Sequence, residues 1–190
     1  MNPDLIARIV GYVAMATVCL SFQVKNPRGT LWVMAAATGL FSIHFALLGA
    51  VTGCILNALN VLRNLAILCT DAHKLSGKIA MHVLSPAYWA APFVFLLLPG
   101  VTVGIPDFVL GVIMTIASYV FWHQNATSIR VVHFFAVSPG WMVYNVLAGS
   151  IPGVITETLN MLSVVVYWVR GWIKKSKKST ESEKLFCKTS

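Results

Sequence analysis

Asparagines, an arginine and a glutamate stand inside long apolar runs, where polar side chains are costly unless they face a protein interior or a water-filled path. Gly53, Asn57, Asn60 and Asn64 recur at spacings of four, three and four, with Arg63 beside them. That spacing puts the four on one narrow stripe of a helix. One hundred residues later Gly153, Glu157 and Asn160 repeat the stripe at the same depths, flanked by Thr156 and Ser163. The amides of Asn60 and Asn160 can donate and accept, which suits an uncharged polar solute. The alternative for the same pair is hydrogen bonding between helices to hold a bundle together. Asn57 and Glu157 sit where they would tune selectivity. Glu157 reads either as a proton-coupling carboxylate or as a partner for Arg63, Asn57 or His44. Arg63 and Glu157 differ in depth by about 9 Å at 1.5 Å per residue, so a direct pair needs long side chains or tilt.

The surroundings of these residues are those of a membrane protein. Of 190 residues, 57% are hydrophobic and 11% charged, against about 25% charged in a soluble domain. Mean hydropathy is +0.77. Disorder and a soluble fold are both excluded by these figures. The net charge of +8 is concentrated at the end: Lys174, Lys175, Lys177, Lys178, Lys184 and Lys188 face only Glu181 and Glu183 over 174–190. Such a tail reads as an orientation signal and an attractor of anionic lipid headgroups, not as a nucleic-acid surface. Cys19, Cys54, Cys69 and Cys187 form no metal or disulfide spacing. No nucleophile–base, zinc, phosphate-loop or dinucleotide motif is present, so neither an enzyme nor a cofactor site is expected.

Seven apolar segments follow, over 6–24, 30–50, 53–70, 79–98, 106–122, 131–149 and 152–172, an all-α integral membrane fold. Turn residues mark the breaks, among them Asn26-Pro27-Arg28-Gly29, Asp71 to Gly77, Pro99-Gly100 and Gln124 to Ser128. Lys25, Arg28, Lys74, Lys78, Arg130, Arg170 and the tail fall on one side, and only Arg8 on the other. The N-terminus is therefore expected outside and the C-terminus in the cytoplasm, in a bacterial inner membrane. The sequon Asn125-Ala126-Thr127 then lies on the cytoplasmic side.

Setting each residue against the one a hundred later exposes a duplication. Over 41–62 and 141–162, seven of 22 positions are identical, including Gly49/Gly149, Gly53/Gly153 and Asn60/Asn160. His44 and Tyr144 are also matched, each 16 residues before the Asn of its stripe, as are Phe41 and Trp141 one turn earlier. The expected organisation is a three-helix repeat over 1–74, a linker helix over 75–104, a second three-helix repeat over 105–173 and a disordered basic tail over 174–190. An odd linker makes the two repeats parallel.

The stretch from Ser21-Phe22-Gln23 to Arg63, with Trp141 to Asn160 and its Leu147-Ala148-Gly149-Ser150-Ile151-Pro152-Gly153 turn, resembles the YgjV family of bacterial inner-membrane proteins. The helix count and parallel duplication are similar in architecture to SWEET sugar facilitators and PnuC-type vitamin-precursor transporters. In SWEET proteins an aromatic of the second helix and an Asn of the third line the pocket, which would make His44 and Tyr144 walls beside Asn60 and Asn160. Those proteins also carry a Pro in the first helix of each repeat. Here 6–24 and 107–122 have no internal Pro of that kind, so a hinge is expected at Pro139 or in the fourth helix. The resulting expectation is a carrier of a small polar solute, with room for homo-oligomers. The alternative is a non-transporting scaffold or receptor acting through its tail.

Overall fold

Asn26-Pro27 opens a helix by the chemistry of its residues. Pro27 presets the first-turn backbone, and Asn26 Oδ1 accepts from the Arg28 N–H at 3.1 Å. Asn125 does the same further on, accepting from the Thr127 and Ser128 N–H groups at 3.0 and 3.1 Å. The sequon asparagine is thus a helix cap.

The computed structural model describes residues 3–189 except 22, 25, 71–73, 98–101 and 124, and the side chains of 3, 126 and 174–189 are not among those described. Phe22, Lys25, Asp71, Pro99, Gly100, Gln124 and the side chains of Cys187 and of the tail lysines lie outside the described residues. The helices are α1 (Pro3–Ser21), α2 (Pro27–Leu47), α3 (Val51–Cys69), α4 (Leu75–Phe95), α5 (Ile105–Trp122), α6 (Ala126–Val132), α7 (Ser138–Leu147) and α8 (Ile151–Thr189). A π-helical turn, His133–Val137, joins α6 to α7. Counting that interrupted rod once, the described residues form seven helices and no strand. Where a disordered tail is expected over 174–190, the backbone of α8 continues to Thr189.

Five helices are long and apolar enough to cross a membrane: α1, α2, α3, α5 and α8 as far as Ile173. The two remaining rods fall short for visible reasons. Lys78, His82, Ser85, Pro86 and Pro92 dilute α4, and the π turn splits 126–147 into short pieces. That turn has a cause. Pro139 lacks an N–H and cannot complete the α-helical bond to Phe135. Just before it, the Ser138 N–H bonds the His133 carbonyl five residues back, so the irregularity lies beside the proline where a hinge was expected.

Helix α2 packs between α1 and α3, α4 lies on α3 and α5, α7 contacts α5 and α8, and α8 returns to α1. Their common core includes Ala14, Phe41, Phe45, Leu56, Tyr88, Met114, Trp141 and Tyr144. Large apolar side chains also cover the outside, such as Trp32, Leu97, Phe135 and Trp172. A surface of that kind is suited to lipid rather than water.

The α2–α3 and α7–α8 turns are built alike. Gly49 has φ 71° and Gly149 φ 67°, the left-handed region that favours glycine. Four residues on, Gly53 and Gly153 let side chains come close. A Cβ on Gly53 would stand 2.6 Å from Tyr144 Cε1 and 2.9 Å from Phe45 Cγ, and one on Gly153 would overlap Asn145.

Candidate functional site

The polar stripe of α3 points inward along its whole length: Asn57, Asn60, Arg63 and Asn64 are all buried. Asn57 Nδ2 donates to the Gly53 carbonyl at 2.9 Å. The Tyr88 hydroxyl of α4 donates to Asn60 Oδ1 at 2.9 Å, leaving the Asn60 amide hydrogens as the uncommitted groups. Arg63 reaches Asn64 Oδ1 through Nη2 at 3.4 Å, and its guanidinium carbon lies 4.4 Å from the centre of the Phe121 ring. On α8 the stripe is less deeply covered. Asn160 Nδ2 donates to Glu157 Oε2 at 3.2 Å, and Thr156 bonds back to the Pro152 carbonyl at 2.8 Å.

Asn57, Asn60, Glu157 and Asn160 line one cavity, together with Arg63. Its volume is about 90 Å³, below the ~300–1,000 Å³ of ordinary small-molecule pockets and equal to the liquid volume of roughly three waters. In this conformation it admits a compact solute, and a larger one requires the helices to part. Phe41, Phe45 and Trp141 form its apolar wall, with Phe45 and Trp141 stacked at a centroid distance of 5.8 Å. The Trp141 indole N–H points to Met114 Sδ at 3.2 Å.

His44 and Tyr144 do not line this cavity; the structure puts them at the Gly49/Gly149 end. His44 Nδ1 is 2.7 Å from the Ala7 carbonyl, and Nε2 is 2.8 Å from Ser150 Oγ. A carbonyl only accepts, so Nδ1 carries the proton, and in the neutral ring Nε2 accepts from the Ser150 hydroxyl. Ser150 Oγ in turn accepts from the Gly153 N–H at 3.1 Å, capping α8. At the other corner the Tyr144 hydroxyl accepts from the Gly53 N–H at 2.7 Å. Beyond Tyr144 lies a larger vestibule of about 610 Å³, lined by the Gly49 turn, by Leu147 and Ala148, and by Val103, Gly104, Pro106 and Asp107. Phe45, which lines the central cavity, lies edge-on to Tyr144 of the vestibule wall at a centroid distance of 5.7 Å.

Among the cavity residues not singled out from the sequence are Phe45, Asn145 and His133. Phe45 and Asn145 follow His44 and Tyr144 in their helices, so the hundred-residue offset pairs them; that offset was the available signal. His133, not among the candidate residues, lines the cavity beside Val137 in the π turn. No regular helical periodicity predicts that position.

An all-helical chain with lipid-suited faces and a polar interior is an integral membrane protein of the helical-bundle class. Residues 5–175 match the family model Imp-YgjV, described as bacterial inner membrane protein. The chain belongs to that family. No curated protein and no solved structure matches it.

Proposed function

We propose that this inner-membrane protein is a transporter or facilitator of a small polar solute and not an enzyme. In this reading seven segments span the bilayer, with the N-terminus outside and the lysine tail in the cytoplasm. Two parallel three-helix repeats, over 1–74 and 105–173 and joined by the helix of 75–104, rock about the central cavity to alternate access. One observation carries the reading: a small cavity lined by Asn57, Asn60, Glu157 and Asn160 from the matched helices α3 and α8. The vestibule at the Gly49/Gly149 end supports it further, because Tyr144 on its wall is in ring contact with Phe45 on the wall of the central cavity. That end would face outward by the distribution of Lys and Arg, so the described conformation is closed toward the outside.

Counterflow in proteoliposomes tests the proposal, using labelled glucose, uridine, alanine and thiamine. Wild-type protein is expected to exchange at least one class. The double variant Asn60→Ala/Asn160→Ala is expected to lose that exchange while eluting as folded protein. Exchange retained by the double variant removes the asparagines from the site, and no exchange by wild-type protein removes the transport reading.

A further inference from the structure

The central cavity is lined by one basic and one acidic side chain that the protein does not join. Arg63 is 4% exposed, and its Nε and Nη1 have no hydrogen-bond partner. Its one bond, to Asn64 at 3.4 Å, is at the limit of hydrogen-bond length. The Phe121 face below the guanidinium provides cation–π attraction but no anion. A guanidinium does not shed its proton in a protein, so burial without a counter-charge is costly unless something fills the place. Glu157 lines the same cavity from α8, with Oε2 held by Asn160. Among the described residues, no hydrogen bond or ion pair links this carboxylate to Arg63.

We propose that the cavity binds a small zwitterion of the amino-acid type. The carboxylate of the solute pairs with the free guanidinium nitrogens of Arg63, and its ammonium pairs with Glu157. The Asn60 amide hydrogens offer a further bond to the solute carboxylate. Phe41, Phe45 and Trp141 exclude water, which strengthens both charge contacts. A neutral polar solute would leave both protein charges unanswered, and a simple carboxylate or amine would leave one. The volume of about 90 Å³ selects the smallest members of the class, glycine and alanine, over solutes with bulky side chains. This inference rests on the carrier reading for the cavity's purpose, but its test does not depend on flux.

The test measures binding to the purified full chain in detergent, by displacement of labelled alanine and by thermal shift. Relative to alanine, propionate lacks the ammonium, ethylamine lacks the carboxylate, and propionamide carries neither charge. Alanine is expected to bind, and each of the other three to bind at least about tenfold more weakly, since each leaves a buried charge unpaired. Arg63→Gln and Glu157→Gln are each expected to weaken alanine by about tenfold or more. Equal binding of propionate or propionamide overturns the proposal, as does the absence of an alanine shift at millimolar concentration. The ligand series is read on wild-type protein, so a variant that fails to fold does not protect the idea. Counterflow of a neutral solute without alanine binding sinks this inference and leaves the transport reading intact. Alanine binding without any flux does the reverse.

Discussion

The corner where α3 begins and the corner where α8 begins meet one demand by different means. Both must satisfy the N–H of a glycine in the first turn, and both join the two halves of the chain. At α8, Ser150 caps Gly153 from within the turn, and His44 of the other half braces the serine. At α3 the matching residue is Ala50, which has no hydroxyl to offer. Tyr144, matched to His44 but longer, reaches across and accepts from the Gly53 N–H itself. His with Ser, or Tyr with Ala, closes the same gap. The two corners thus answer the same glycine N–H with different residue pairs, and what each residue does is set by its partner across the fold.

The most severe way to break this comparison is to crowd the glycines. Gly53→Val and Gly153→Val would drive a side chain into Tyr144 and Phe45 or into Asn145, a cost of about 3 kcal/mol or more if the helices cannot shift. Loss of monodisperse protein on size-exclusion chromatography is the expected result for both. Tolerance of one alone would mean that the two corners are not packed alike. A smaller loss is expected for Tyr144→Phe, which leaves the Gly53 N–H without its acceptor and should cost roughly 1–2 kcal/mol. The readout is a lower melting temperature in detergent. The smallest net effect sharpens the comparison. Tyr144→His alone should destabilise, while Tyr144→His with Ala50→Ser rebuilds the α8 arrangement and should recover most of the loss. A double variant no more stable than the single one would refute the equivalence.

Much of this architecture was legible in the chain because it is local or periodic. The stripe from Gly53 to Asn64 follows from spacing along a single helix. The paired glycines follow from one offset. What the chain did not disclose depends on contacts across the fold. The likeness to SWEET proteins suggested that His44 and Tyr144 were walls, but only the packing of α2 against α1 and the approach of the two glycine turns reveal them as braces. Tyr88 on Asn60 is likewise a gift of α4, a helix with no counterpart beside α8. This is why the two matched asparagines have different partners. His133 was hidden for another reason, since a π turn breaks the 3.6-residue rhythm on which facing is judged.

The π turn at His133–Val137 winds one more residue into its ring than an ordinary helical turn does. Sliding that surplus residue past its neighbours would swivel each of them by about 100° without unwinding the helix. His133 and Val137 could thereby leave the chamber, and others could enter, at the cost of rearranging a few backbone bonds. A rod of this kind can change which side chains it turns toward the cavity while its end turns stay in place.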